Sequence, residues 1–233
     1  MKRKEFIQKT ALLSAGFSIG LPNFSFSKKK HFKMGLQLFS VRDAMKLAPL
    51  DTLKKLKTIG YQDFEIYGFQ ADTETIYGYK SIEFKRILDD LGLSTTSGHY
   101  SFPDYFNASA DQLNRYVDQC IQTAINLNSS YITWPFIKPE NCNPEGFKHL
   151  SEKLNVIGEQ ATKAGIGFAY HNHGYEFEDW GGTSGHQILM QLTDPKFVKL
   201  QMDMYWLVHS GKTPKDMVTQ NPGRYVMLSL IHI

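Results

Sequence analysis

From Lys33 onward, short apolar runs alternate with longer amphipathic ones. The short runs at 34–39, 63–67, 94–99, 131–135, 167–173, 200–204 and 225–228 predict strands. Their starts lie roughly 30 residues apart, the length of a strand, a helix and two loops. Between them, Leu50, Leu53, Leu56 and Ile59 share one helical face ahead of Gly60, a natural C-terminal stop. Ile82, Ile87, Leu88 and Leu91 repeat the arrangement ahead of Gly92. Ser109 with Gln112 has the form of a capping box, and the helix it opens turns Leu113, Tyr116, Val117, Cys120, Ile121 and Ala124 inward. Phe147, Leu150, Leu154, Ile157 and Ala161 mark another helix ending at Gly165, and 186–192 a shorter one.

Such alternation means a parallel sheet, either open and doubly wound or closed as a barrel. No glycine-rich dinucleotide fingerprint follows the first strand, because Gly35 leads into Leu36-Gln37-Leu38-Phe39 without a second glycine. Gln37, Glu65, His99, Trp134, His171, His173 and Asp203 fall in or near the C-terminal ends of separate strands. In a barrel these ends converge on one mouth, where active sites are built. The expected fold is α/β, of the (β/α)8 TIM-barrel type, incomplete, with about seven strands present.

At 233 residues and 42% hydrophobic, the chain can bury one large core as a single domain. Its net charge of +3 is unevenly spread. Residues 1–30 hold seven basic side chains and one acid, a balance of +6, which leaves residues 31–233 at −3. The folded part is mildly acidic, which argues against a nucleic-acid partner. Basic residues at 2–4 followed by an apolar stretch from Ala11 to Leu21 have the layout of an export signal, too short to span a membrane. The run from Arg3 to Lys9 resembles a twin-arginine signal with Lys4 in place of the second arginine. Residues 1–30 are therefore expected to direct export, to the periplasm, and residues 31–233 to form the barrel. No stable membrane span is expected after processing. Two cysteines, Cys120 and Cys142, make no disulfide framework and are expected as free thiols.

The most informative stretch is Gly165-Ile-Gly-Phe-Ala-Tyr-His-Asn-His-Gly-Tyr-Glu-Phe177. As a strand it places Ile166, Phe168 and Tyr170 on one face, and Gly167, Ala169, His171 and His173 on the other. Two imidazoles pointing the same way suit a metal or a shared substrate; hydrogen-bonded rim histidines are the plainer reading. Glu176 could be a ligand, an acid/base or a solvated loop carboxylate. Asp203 ends an apolar strand before Met204-Tyr205-Trp206, a poor place for an unpaired charge, so it needs a cation, a donor set or water. Metal ligation or a helix N-cap would each serve. His99 is a rim residue or a catalyst. Glu65, flanked by Phe64 and Ile66, could orient a substrate hydroxyl or pair with Arg42. Trp134 offers a flat wall of the kind sugars stack on, and core packing explains it equally well. No basic cluster marks the strand ends, which favours an unphosphorylated sugar.

Gly35-Leu-Gln-Leu-Phe-Ser-Val-Arg-Asp43, Tyr170-His-Asn-His-Gly-Tyr-Glu-Phe177 and Met202-Asp-Met-Tyr-Trp206 resemble the sugar phosphate isomerase/epimerase family of xylose-isomerase-like barrels. The resemblance runs over residues 33–228. It implies a (β/α)8 barrel with one divalent metal (manganese, zinc, cobalt or magnesium), and enzymes that move a proton beside a carbonyl of a small-molecule sugar. It assigns Asp203 as a metal ligand and His171 as the best match to a position usually held by glutamate, with His173 and Glu176 as competitors. Glu176 and His99 are then the acid/base candidates, and Gln37, Glu65, Trp134 and His173 the substrate contacts. Assembly as a homo-oligomer is compatible with the resemblance.

Relatives of this kind continue past the Pro-Gly-Arg-Tyr-Val-Met-Leu stretch with a His-x-Lys-Asp pattern and an eighth strand carrying a last acidic ligand. Here the matching positions read Ser229, Leu230, Ile231 and His232, so a truncated barrel with two open edges is expected, with impaired activity. The leading functional expectation is a metal-dependent isomerase or epimerase. A dehydratase of a cyclic polyol ketone and a non-catalytic sugar-binding barrel are the alternatives. An endonuclease at abasic DNA sites shares the fold, but the export segment and the −3 balance argue against it.

Overall fold

The computed structural model describes residues 34–231. The expected export segment lies outside the described residues. The strands are β1 (Gly35–Gln37), β2 (Asp63–Ile66), β3 (Thr75–Ile76), β4 (Tyr79–Lys80), β5 (Ser94–His99), β6 (Tyr131–Trp134), β7 (Gly167–His171), β8 (Val198–Asp203) and β9 (Tyr225–Ser229). The helices are α1 (Arg42–Leu47), α2 (Pro49–Ile59), α3 (Ser81–Asp90), α4 (Ala110–Leu127), α5 (Pro144–Lys163), α6 (Gly185–Leu192), α7 (Met204–His209) and α8 (Pro214–Gln220).

Seven strands form one sheet in the order β1-β2-β5-β6-β7-β8-β9, every pair parallel. β3 and β4 make a separate antiparallel ribbon. Each strand pairs with its predecessor in the sheet, so the wall curls one way and remains open, with β1 and β9 as edges among the described residues. This is an incomplete TIM barrel, as the sequence pattern predicts.

Strand register decides what each face carries. Gln37, Glu65 and Ser97 lie side by side on β1, β2 and β5, and Tyr131 and Gly167 continue the row. Two residues further along, His99, Thr133 and Ala169 align, and His171 lies beside Gln201. The concave face is therefore largely polar toward its C-terminal end. The opposite face carries Phe64, Ile66, Ile132, Trp134, Phe168 and Tyr170, which pack with helix residues such as Leu113, Val117, Leu150 and Leu154 into the main core.

Local chemistry accounts for the boundaries. Helix α2 stops at Gly60, whose φ of 112° is open to a residue without a Cβ. Helix α4 starts at a complete capping box, with the Ser109 side chain accepting from the Gln112 amide and Gln112 reaching back. Helices α1, α7 and α8 and the β3–β4 ribbon do not emerge from the hydrophobic pattern, because six or seven residues, or two, are too few to show a period. The predicted strand 167–173 ends at His171. Cys120 and Cys142 are free thiols. Among the described residues no helix is long and apolar enough to cross a membrane.

Candidate active site

A cleft of about 360 Å3 opens at the C-terminal ends of the strands, lined by Gln37, His99, His171 and His173 among aromatic side chains that include Phe39, Tyr67, Tyr100, Phe136 and Trp206. Beneath it runs a continuous buried polar chain. Glu65 Oε1 accepts from the Ser97 hydroxyl at 2.6 Å and from Gln201 Nε2 at 2.7 Å. Glu65 Oε2 lies 3.1 Å from His99 Nε2. Gln201 Oε1 meets His99 Nε2 at 2.8 Å and His171 Nδ1 at 2.7 Å. His171 Nε2 in turn faces Asp203 Oδ2 at 3.4 Å. Six side chains from β2, β5, β7 and β8 are thus linked across the mouth.

Charge within this chain follows from its contacts. Burial would raise the Glu65 carboxyl, but His99 and the Ser97 hydroxyl hold it down at about 2. Burial opposes charge on His99, yet the Glu65 carboxylate beside it lifts its pKa above the ordinary value. His173 is neutral, lowered to about 3 by burial and by the neighbouring His171. Its ring stacks on Tyr175 at 5.3 Å and leans on Trp206 at 5.9 Å.

Asp203 serves two purposes. Its Oδ1 caps α7 by accepting from the Tyr205 and Trp206 amides at 2.9 and 3.2 Å. Its Oδ2 is buried with no hydrogen-bond partner. A bare buried carboxylate oxygen beside an imidazole nitrogen suits a cation, so His171 and Asp203 fit as two ligands of one divalent ion. Among the described residues no group of three His, Cys, Asp or Glu side chains converges on a metal position. Gln37 Nε2, His173 Nδ1 and Thr133 Oγ1 are also buried without partners. The first two belong to residues that line the cleft.

Three sequence-based expectations need correction. Trp134 is fully buried on the helix-covered face, stacked on Phe102 at 5.7 Å with its Nε1 donating to the Phe136 carbonyl, because Thr133 takes the concave side. Phe136 and Trp206 line the cleft in its place. Glu176 is fully buried away from the cleft. Its Oε1 accepts from the Tyr170 hydroxyl at 2.6 Å and its Oε2 from the His173 amide at 2.9 Å, so it braces the turn after β7 and is not placed as an acid/base. Glu65 pairs with His99 and Gln201, not with Arg42, whose guanidinium lies over the Phe39 ring at 4.7 Å. Gln201 escaped the sequence reading, although its position two before Asp203 on one strand places it on the same face.

Among solved structures, a sugar phosphate isomerase/epimerase from Parabacteroides distasonis is 28% identical over 87% of this chain and 78% of that one, with a TM-score of 0.74. A probable 3-DHS dehydratase from Bacillus anthracis shares the fold at 15% identity and a TM-score of 0.63, covering 84% of this chain and 72% of that one. The E. coli 3-keto-D-glucoside 4-epimerase does so at 15% identity and a TM-score of 0.60, covering 85% and 78%. No curated protein matches the sequence. The family model described as xylose isomerase-like TIM barrel matches residues 53–233, most of the chain and nearly all of the curled sheet. This chain belongs to the xylose isomerase-like TIM barrel family.

Proposed function

We propose that the cleft binds an unphosphorylated sugar or keto-sugar and moves a proton on the carbon beside its carbonyl, an isomerase or epimerase reaction through an enediolate. One divalent ion, of manganese, zinc, cobalt or magnesium, is held with His171 and Asp203 as two of its ligands. Such an ion, when bound, polarises oxygens of the substrate and lowers the cost of negative charge on them. The single observation that carries the reading is the buried Asp203 Oδ2, without a hydrogen bond, facing His171 Nε2 at the foot of the cleft.

His99 acts as the acid/base. It lines the cleft, and Glu65 behind it stabilises the imidazolium, so a proton taken from carbon has a place to rest. Gln37 Nε2 donates to a substrate hydroxyl, and neutral His173 offers a second polar contact. Phe39, Phe136 and Trp206 give the sugar ring apolar faces to lie against. No Lys or Arg lines the cleft among the described residues, which supports a substrate without a phosphate.

A dehydratase acting on a cyclic polyol ketone uses the same proton abstraction and then loses a hydroxyl, and the B. anthracis probable dehydratase has the same fold. We also propose that the protein is exported, on the strength of its basic and apolar leader. The test is to incubate the protein with keto-sugars in deuterated buffer with manganese and follow the α-carbon position by NMR. Deuterium uptake with an unchanged carbon skeleton supports epimerisation, whereas a product lighter by water supports dehydration. Asp203→Ala is expected to lose both bound metal and deuterium uptake. A variant that keeps both sinks the proposal. Tight sugar binding with no metal and no exchange would instead mark a binding protein.

A further inference from the structure

The central amide of the buried chain, that of Gln201, has its orientation dictated by its neighbours. Glu65 is a carboxylate and can only accept, so the Gln201 atom 2.7 Å from its Oε1 is the NH2 nitrogen. The other end of the amide is then the carbonyl oxygen, which can only accept. Both ring nitrogens that meet it, His99 Nε2 and His171 Nδ1, must carry hydrogen. A neutral His171 with its proton on Nδ1 has a bare Nε2, and that nitrogen faces the unpartnered Asp203 Oδ2 at 3.4 Å.

With Nδ1 already carrying hydrogen, the gap between Nε2 and Asp203 Oδ2 is bridged either by a second proton, which makes His171 an imidazolium, or by a cation in that proton's place. The tautomer with hydrogen on Nε2 alone would also reach Asp203, but it would leave His171 Nδ1 opposed to the Gln201 oxygen. We propose that Gln201 is a positioning residue that fixes His171 in the Nδ1–H tautomer, so that Nε2 and Asp203 Oδ2 stay open to a cation. Glu65 commands this arrangement two links away, through the amide. The same oxygen receives His99, so one side chain sets the hydrogen-bonding state of the proposed acid/base and of the proposed metal ligand together. The inference rests on the reading of the cleft given above for the use made of the bare nitrogen; the tautomer assignment stands on the hydrogen bonds alone.

The test is long-range 1H–15N correlation NMR of histidine-labelled, metal-free protein, at a pH where free histidine is neutral. The wild type is expected to show the Nδ1–H pattern at His171. Gln201→Met, similar in size but without an acceptor, is expected to shift His171 toward the Nε2–H form and to weaken cobalt binding, by calorimetry, about tenfold. Glu65→Gln keeps the chain of contacts but frees the amide to flip, and is expected to give a mixture of tautomers. This second variant serves if Gln201→Met does not fold. Hydrogen on Nε2 with none on Nδ1 in the wild type, or a tautomer unchanged in the folded variants, overturns the inference. A wild type with the Nδ1–H pattern that binds no metal upholds the tautomer assignment and sinks the metal reading.

Discussion

Glu176 lies wholly inside the protein with both oxygens already taken by the Tyr170 hydroxyl and the His173 amide, and burial lifts its pKa from 4.5 to about 7. In the unfolded chain the acid ionises near 4.5; in the folded one it resists until about 7. Its contribution to stability is therefore fully present below the unfolded value and is lost as pH rises through the folded one. Glu176→Gln cannot ionise. The difference in unfolding free energy between the two proteins is expected to move in the variant's favour by on the order of 3 kcal/mol as pH climbs from about 4.5 to about 7, and to level off above that. Urea titrations across that range would measure it, and a flat difference would refute the buried, protonatable state. At this scale the sequence was only partly legible. Strand alternation places His171 and Asp203 on the concave face, yet the same rule turns Trp134 outward once Thr133 is assigned inward, and flanking residues alone cannot make that assignment. Glu176 looked available because a sequence does not show a tyrosine six residues away closing over it.

Helix α5 meets the residue just ahead of β8 at Gly158, where an added Cβ would lie 2.7 Å from the carbonyl oxygen of Phe197, a backbone atom with no freedom to move aside. Alanine in a helix ordinarily gains about 1 kcal/mol over glycine. Here the close approach reverses the sign, and Gly158→Ala is expected to destabilise the fold by about 1–3 kcal/mol, read from the urea midpoint. A stabilised variant would mean that α5 stands further from the sheet than described. The longer elements were the legible ones, because α4 and α5 repeat their apolar stripe over four or more turns and α4 carries its own start signal at Ser109. Helix α7 was not legible as a helix. Its six residues are aromatic and apolar, and only the capping contact of Asp203 reveals where it begins.

Among the described residues β1 and β9 stand at the borders of the sheet. The outer face near β9 exposes Leu228 and, just beyond, Leu230, at 64% and 73% of their surface. Uncovered leucines beside a strand at the border of the described sheet are a template for association. Sedimentation velocity is expected to show concentration-dependent self-association that Leu228→Lys reduces; a wild type that stays monomeric throughout would remove the homo-oligomer from consideration. The overall class was legible because the strand–helix spacing leaves few alternatives. The polar chain across the mouth was not, since its members are separated by as many as 136 residues and meet only when the wall curls. One link in that wall has a reach beyond chemistry. The carboxylate of Asp203 fastens the first turn of α7 with one oxygen and turns the other toward His171, which lines the cleft as does Trp206 on that turn. A cation gripping the open oxygen is expected to tug the indole, so that loading would register in the emission of Trp206, one of three tryptophans.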